Sequence, residues 1–506
     1  MQNKYGLVWE PKTDAALDKL LCSDVSLIQD DQYMVGEDTV TQHLINSDNL
    51  IGLYALSQQG IKVDVIYIDP PYNTGTKDFI YNDAYVDNSD EYKHSEWISF
   101  MSLRLKLAKE IMSDDATIMV SIDDHEYANL KLLMDAIFSE KNYIASLIWQ
   151  GGRKNDSKFV SVSHDYILVY TKNKDSLAKT RWRAEKPEAQ IIIEQAKTFY
   201  MNTLKQEIKH NKELSKYYNE NYDIWLANTE NHSWEWWTEN LQGVAAQSTV
   251  ELKKWFKLQP TNSAIMNSKH FNHVDERGKV FYPENISWPG GGGPSYVVSH
   301  PATKEAVPIP SRGWIYTQPK MVEEIEKGNI YFRASHVQGI NRKSYLHKVN
   351  MTVLDSVFYK DRRASNLLLQ NILGKNKFDF PKDVEVIKTW IKYVSGNKPD
   401  ITVLDFFAGS GTTGQAVLEL NAEDNGSRIC YLITDEGKIV DNDNKDGNIN
   451  IAKEITYERL KRVITGKGWA DGKEHPQFNQ SLAYYETSLT PKTINDKSKT
   501  DFLSNL

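Results

Sequence analysis

Cysteine is nearly absent from this chain: Cys22 and Cys430 are the only two in 506 residues, far apart and without neighbouring histidines. A disulfide framework and a zinc site of the usual spacing are thereby excluded, no metal is expected, and both thiols read as small buried residues. No apolar run reaches the ~18 residues of a membrane span, and Met1 to Glu10 lack the charged-then-apolar order of a signal peptide. A cytoplasmic protein with no membrane partner is expected. Excess positive charge is also missing, since 60 Lys+Arg stand against 68 Asp+Glu for a net charge of −8. Taken alone, that leans away from a polyanionic partner. No internal repeat or long low-complexity tract is visible, which sets aside solenoids and fibres. What remains is 40% hydrophobic and 11% aromatic residues, enough for about two to four globular domains.

The first part of the chain alternates strands and helices. Val63 to Ile68 (VDVIYI) is β-branched and apolar, and reads as a parallel strand covered on both faces. A helix is expected over about Ser95 to Met112, a strand over Ala116 to Ile122, a helix over His125 to Phe138, and strands at Ser146–Gln150 and Tyr166–Tyr170. The rhythm returns late, with a helix over Asp383–Val394, a strand over Ile401–Phe407, a helix from Thr412 to Leu420, a strand over Arg428–Thr434 and a helix over Ile451–Ile464. This is the habit of an open α/β sheet. Between about 172 and 360 the pattern is mixed and aromatic, with Trp234, Trp236, Trp237, Trp255, Trp288 and Trp314 and a run of four glycines, Gly290 to Gly293. Lys205, Lys209, Lys212 and Lys216 suggest a helical arm at its start. Most of these tryptophans are expected in a separate core rather than on a stacking surface.

Two loops carry the chemistry. Asp69-Pro70-Pro71-Tyr72 ends the strand at Ile68, and two prolines fix the backbone so that the preceding carboxylate and carbonyls point in set directions. Asp405-Phe406-Phe407-Ala408-Gly409-Ser410-Gly411-Thr412-Thr413 joins a strand to a helix, where glycines admit a ligand to the backbone and the helix start offers free N–H groups. No Lys-Ser/Thr follows the glycines, so this is not a Walker loop, and without GxGxxG a dinucleotide is disfavoured. Asp435-Glu436 closes the next strand 24 residues after Gly411, near the ~20 at which a carboxylate holds ribose hydroxyls in a doubly wound fold. A nucleoside-bearing cofactor fits that spacing.

DPPY early and DFFAGSGTT late resemble the S-adenosylmethionine-dependent amino-methyltransferases of DNA in their permuted β arrangement. The likeness extends to Asp48-Asn49-Leu50, IYIDPPYNTG (Ile66–Gly75), Phe79 to Asp83, Ser121 to Asp124, Ile148-Trp149, His164-Asp165-Tyr166 to Lys172, Gly313-Trp314, Lys343 to Leu346 and Phe378 to Lys382, and is similar to the Mod subunits of type III restriction systems. It departs at Ser47, where relatives usually have Gly, and around 185 to 270, where no family motif can be placed.

The resemblance implies an α/β, mostly parallel Rossmann-like methyltransferase sheet with an inserted target-recognition domain. Its pieces would be 1–171 and 361–480 for the two halves of the catalytic domain, 172–360 for the insert and 481–506 for a tail. It implies methylation of adenine N6 in double-stranded DNA with base flipping, as the modification component of a restriction system. Cytosine-N4 methylation and a DNA-binding specificity subunit without catalysis are the alternatives. Asp69, Pro70, Pro71 and Tyr72 would handle the amine. S-adenosyl-L-methionine would lie against Phe407, Gly409, Ser410, Gly411 and Thr412, with Asp435 or Glu436 on the ribose, Asp48 or Asn49 near the adenine, Asp69 beside it and Lys382 near the methionine end. His164 reads as structural. A homodimer and a Res partner are implied as well.

Local charge corrects the acidic total. Arg342, Lys343, Lys348, Lys360, Arg362 and Arg363 against Asp355 and Asp361 make a net of +4 between 342 and 363. Arg153, Lys154 and Lys158 form a second basic cluster beside glycines. Arg342, Lys343, Arg362, Arg363 and this second cluster are the expected phosphate contacts.

Overall fold

The computed structural model describes residues 7–74, 93–152, 159–178, 180–375, 377–440 and 448–492. The chain divides into two compact units, one made of 1–183 and 354–506 and the other of 184–353.

The first unit is built on ten strands: β1 (Ser23–Gln29), β2 (Val40–Asn46), β3 (Val63–Ile68), β4 (Met112–Ile122), β5 (Tyr143–Gln150), β6 (His164–Thr171), β7 (Val357–Tyr359), β8 (Thr402–Asp405), β9 (Ile429–Thr434) and β10 (Ser481–Pro491). Their order is β1-β10-β2-β9-β8-β3-β4-β6-β5-β7. Only β1 and β6 run against the rest. Covered on both faces, β3 buries Val63, Val65, Ile66, Tyr67 and Ile68 completely or nearly so. Its single acid, Asp64, accepts Ser113 Oγ at 3.0 Å and the Thr402 N–H at 2.9 Å, and so ties the start of β8 to β3.

Helices α1 (Asn49–Gln58), α2 (Lys93–Ile111) and α3 (Tyr127–Phe138) bury Leu50, Leu53, Trp97, Met101, Leu105, Leu130 and Met134 in one core with β3 and β4. Four further helices are α4 (Arg363–Leu373), α5 (Val384–Val394), α6 (Thr412–Asp424) and α7 (Glu458–Thr465), of which α5 and α6 pack together. The chain leaves β3 through α2 toward β4, and leaves β8 through α6 toward β9, in opposite directions along the sheet. Adjacent strands whose connections diverge make a topological switch point, where a crevice opens beyond their carboxyl ends.

Several expectations change here. The expected tail does not begin at 481: Ser481–Pro491 is a strand between β1 and β2, covered on both faces at its start, where Leu482, Ala483 and Tyr484 are all buried. The insert is shorter at both ends than 172–360, because β7 pairs with β5 and belongs to the sheet. Cys430 is buried in β9, but Cys22 is exposed where the first helix, Ala15–Cys22, ends. The helix expected over 451–464 opens as a π-helix, Ile451–Tyr457, before α7.

The second unit holds two long helices, Pro187–Glu207 and Trp234–Lys257, and an antiparallel sheet of Ile330–Phe332, Ile340–Tyr345, Val280–Glu284 and His273–Val274. Trp225, Trp237 and Trp314 are fully buried, whereas Trp288 is 42% exposed. The aromatic excess is thus largely core. The lysine arm is broken, since the first helix ends at Glu207 and Lys212–Ser215 forms a separate turn of helix. The unit begins and ends on a paired bridge of Ala184–Glu185 with Met351–Thr352. Among the described residues no helix is long and apolar enough to cross a membrane.

Candidate active site

The pairing of Val403 with Val65 and Leu404 with Ile66 sets β8 against β3, so the two loops singled out in the sequence leave the same sheet edge side by side. At the end of β3, Trp97 Nε1 donates to the Pro71 carbonyl at 2.7 Å. Asn73 adopts φ +56°, and its amide donates to Glu126 Oε1 at 2.5 Å and to the Lys93 carbonyl at 3.3 Å. Glu126 is wholly buried and also meets His94 Nδ1 at 2.6 Å and Asn129 Nδ2 at 2.7 Å. The Asp-Pro-Pro-Tyr turn is therefore anchored at both its third residue and the residue after it. Among the described residues nothing donates to the Pro70 carbonyl.

Asp69 Oδ1 is enclosed and lies 3.2 Å from Lys382 Nζ, yet accepts no well-directed hydrogen bond. A buried carboxylate oxygen in that state is costly unless a ligand donates to it. Burial pushes the Asp69 carboxyl above its ordinary value, the Lys382 ammonium and Tyr72 hydroxyl pull it back, and Asp165 adds to the upward push. Lys382 Nζ donates to the Tyr72 hydroxyl at 2.6 Å and stands 4.8 Å from the centre of its ring. Burial and the neighbouring Asp69 drive Tyr72 well above the usual phenol range.

The glycine loop starts from Asp405, whose carboxylate is buried; Oδ1 accepts the Phe407 N–H at 3.0 Å and Oδ2 the Thr413 hydroxyl at 2.6 Å. Burial raises this carboxyl to about 7 despite those two donors. Gly409 and Gly411 take φ +48° and +78°, which side-chain-bearing residues avoid. A Cβ at Gly409 would stand 3.2 Å from the ring of Phe378, and one at Gly411 3.1 Å from Thr456 Cγ2. The two glycines thus let Phe378 and Thr456 close in on the loop and form a tight backbone cradle at the start of α6, where the first N–H groups of a helix can serve a ligand.

Two residues that no sequence pattern announced hold this cradle from below. Thr456 Oγ1, in the π-helix, donates to the Gly409 carbonyl at 2.5 Å. Arg459, fully buried, donates to the Ser410 carbonyl at 3.1 Å, to the Ser410 hydroxyl at 3.0 Å, to the Thr412 hydroxyl at 2.8 Å and to Gln415 at 2.9 Å. Burial lowers its guanidinium only to about 9, so it stays a cation at neutral pH. A π-helical turn is rare and often marks a functional position.

Asp435 follows β9, accepts the Gly437 N–H at 3.0 Å, and is raised by burial, with the nearby Asp48 adding to the push. Glu436 beside it is exposed. Asp48 caps α1 through the Leu50 N–H at 2.8 Å and meets Arg104 at 3.3 Å, while Asn49 Oδ1 accepts from Arg104 Nε. Both are engaged in structure, though Asn49 Nδ2 is buried without a partner. Lys382, expected at the methionine end of a cofactor, lies against the Asp69–Tyr72 turn. His164 is structural, with Nε2 3.0 Å from the Tyr166 hydroxyl.

Four of the basic residues expected on phosphates are paired with acids, and only Lys343 among them is buried. Lys343 is buried against Glu276 at 2.9 Å, because it takes an inward position of its strand. Arg342 pairs with Glu284 at 2.6 Å and Arg362 with Asp165 at 2.9 Å. Arg363 is 88% exposed in its side chain but meets Asp361 at 2.5 Å. Arg153, Lys154 and Lys158 lie outside the described residues, as do Gly75 and Phe79 to Asp83.

The chain is 29% identical to the type III restriction-modification enzyme EcoP15I Mod subunit of Escherichia coli, over 91% of this chain and 69% of that one. It is also 29% identical to the StyLTI Mod subunit of Salmonella typhimurium, over 87% and 59% respectively. The chain thus spans between three fifths and seven tenths of the length of these relatives. Among solved structures, the cytosine-N4-specific PvuII DNA methyltransferase overlaps at a TM-score of 0.34 with 11% identity, over 85% of this chain and 95% of that one, and nothing is drawn from so loose a superposition. A model of the DNA methylase family matches residues 63–440, a stretch that begins with β3 and ends beyond the glycine loop and Asp435. With both loops of the switch point inside that match, the chain belongs to the N6/N4 DNA methylase family.

Proposed function

We propose that this protein transfers a methyl group from S-adenosyl-L-methionine to the N6 amine of adenine at a specific sequence in double-stranded DNA, as the modification component of a restriction-modification system. The observation that carries the reading is the adjacency of the anchored Asp69–Tyr72 turn and the glycine loop, left-handed at Gly409 and Gly411, at one switch point. The cofactor, when bound, supplies a methyl group on a sulfonium. Phe407, Gly409, Ser410, Gly411 and Thr412 would hold it along the backbone, and Asp435, partly buried at the end of β9, suits the ribose hydroxyls better than exposed Glu436.

An exocyclic amine is a poor nucleophile because its lone pair is delocalised into the ring. The enclosed Asp69 Oδ1 and the Pro70 carbonyl, which receives no donor among the described residues, are two acceptors that would take its two N–H bonds, favouring pyramidal nitrogen and freeing the lone pair. Tyr72 gives the base a ring to stack on. Asp69 then stabilises the positive charge that develops on nitrogen and receives its proton after transfer. A base inside a duplex cannot reach this turn, so it must be flipped out, at about a few kcal/mol.

The relatives' names as Mod subunits of restriction-modification enzymes support a DNA substrate and a Res partner; a homodimer is part of the same reading. Transfer of labelled methyl to plasmid DNA, followed by nucleoside analysis, tests it. N6-methyladenine is expected; N4-methylcytosine would overturn the choice of base, and binding without transfer would overturn the enzyme. Asp69→Ala is expected to lower kcat by about 10²-fold or more while the cofactor still binds.

A further inference from the structure

Behind the Asp69–Tyr72 turn lies a run of alternating charges that methyl transfer by that turn alone leaves unexplained. Lys382 Nζ touches three groups: the Tyr72 hydroxyl at 2.6 Å, Asp69 Oδ1 at 3.2 Å and Asp165 Oδ2 at 3.4 Å. Arg362 Nη2 meets the same Asp165 oxygen at 2.9 Å. The Asp165 and Lys382 side chains are only 8% and 14% exposed. Topology accounts for the placement. β6 runs against β4, so its first residues, not its last, lie at the sheet edge where β3 ends. An acid at the start of β6 is the one that can reach the crevice.

The arrangement is fitted, not incidental. Arg362 lies with its guanidinium 5.4 Å from the centre of the Trp149 ring, and Trp149 Nε1 fixes the approaching chain through the Lys360 carbonyl at 3.0 Å. Gly151 is what leaves room for it, since a Cβ there would stand 2.8 Å from Arg362 Nε. Five segments, the turn after β3, β5, β6, the stretch before α4 and the stretch before α5, converge on two acids and two bases. Buried charge runs of this kind add little stability over apolar packing, so their use is sought in the site they adjoin.

We propose that Asp165, with Arg362 behind it, is a positioning residue for methyl transfer: it shares the Lys382 ammonium with Asp69 and Tyr72, so that Lys382 steadies the amine acceptor without capping it. The inference rests on the reading of Asp69 as that acceptor. With Lys382 shared between Asp165 at 3.4 Å, Asp69 at 3.2 Å and Tyr72 at 2.6 Å, the Asp69 oxygen keeps a direction free for the amine, since among the described residues no well-directed donor reaches it. Without Asp165 the ammonium would close on Asp69 and compete with the base; without Lys382 the carboxylate would lose its nearest cation. The charged and titratable groups around Asp69 are Lys382, Tyr72, Asp165, Tyr67 and Asp405; Lys382 and the Tyr72 hydroxyl favour its ionised form, Asp165 opposes it, and Asp69 in turn raises Tyr67, Tyr72 and Asp405.

The test is the pH dependence of kcat in the full-length protein, at saturating S-adenosylmethionine and DNA, for Lys382→Met and Asp165→Asn. The acid limb is expected to move to higher pH in Lys382→Met and to lower pH in Asp165→Asn, each by about one pH unit, the size of effect a close charge exerts. Asp165→Asn should also lower kcat about tenfold at neutral pH with the KM for S-adenosylmethionine unchanged. A purely structural pair would lower activity without separating the limbs, so limbs that stay in place or move together overturn the proposal. Should either variant fail to fold, Arg362→Met replaces it: releasing Asp165 to Lys382 moves the limb up, and an unmoved limb overturns the proposal. Asp69→Asn keeps the two failures apart, because a fully active Asp69→Asn removes the underlying reading, whereas an inactive one beside unmoved limbs removes only this inference.

Discussion

Asp405 shows how one residue can serve a site and burden the fold. Its carboxyl is pushed to about 7 by burial, from an ordinary value of 3.8. The folded protein therefore holds this proton more tightly than the unfolded chain does. The resulting stability is fully present below about pH 4 and is lost as pH rises through about 7. Urea midpoints measured at pH 5 and pH 8 should fall with pH in the wild type and fall less in Asp405→Asn, which is neutral throughout; parallel falls would mean that Asp405 is not the group responsible. Tyr72 makes a second case. Tyr72→Phe keeps a stacking face and loses only the hydroxyl that takes the Lys382 bond, whereas Tyr72→Ala loses the face, worth about 1–3 kcal/mol per stacked base. Fluorescence of 2-aminopurine at the target position should rise on binding to Tyr72→Phe and shift markedly less with Tyr72→Ala. At this scale the sequence was most legible where residues are contiguous: Asp69 to Tyr72 and Asp405 to Thr413 stand where the motifs put them. The contact of Lys382 with Asp69 and Tyr72 was not legible, because a residue after a proline has no address until the chain is folded. Asp165 did leave a trace, an acid heading an otherwise apolar strand (HDYILVYT), but not what it faces.

Among the elements, the π-helix and α7 matter more than their place in sequence suggests. They supply Thr456 and Arg459, which grip the carbonyls and hydroxyls of the glycine loop from the side away from a ligand. A hydrogen bond from a charged donor is worth about 1.5–3 kcal/mol, so Arg459→Met should raise the dissociation constant for S-adenosylmethionine about tenfold or more and leave DNA affinity unchanged. Calorimetric titration checks it, and unchanged cofactor affinity would show the grip to be dispensable. Gly411→Ala should cost about 1–2 kcal/mol from left-handed backbone alone, seen as a lower thermal midpoint, because Thr456 also crowds the new methyl. Periodicity in the sequence located these segments as helical but could not distinguish a π turn from an α turn. It also passed over β10, whose partners lie 440 residues away, as Asn46 and Glu486 show.

For the whole molecule, the paired bridge of Ala184–Glu185 with Met351–Thr352 brings the ends of the second unit together. Replacing 186–349 by a short Gly/Ser linker should therefore leave a first unit that folds and binds S-adenosylmethionine, but no longer methylates a defined sequence. Loss of cofactor binding would show that the two units fold as one. Salt dependence of DNA binding belongs to this scale too. Because Arg342, Lys343 and Arg362 are committed to ion pairs, the slope should come from other cations. Arg153→Ala with Lys154→Ala is expected to reduce the slope of log K against log salt by about 1–2, near one for each phosphate no longer neutralised; Lys343→Ala should leave it as it was.

Sequence by itself determined the class of fold, the two chemical loops and the family, because each is written in contiguous residues: alternating apolar strands, prolines that end one, glycines that open another. It also showed that a net charge of −8 says little about the partner. Which charges remain free was decided only by the tertiary structure. Burial and pairing depend on what lies across a sheet edge, so Lys343 became an internal counter-ion, Arg362 paired with Asp165, Lys382 came to lie beside Asp69 and Tyr72, and Asp165 entered the site through the reversed direction of β6.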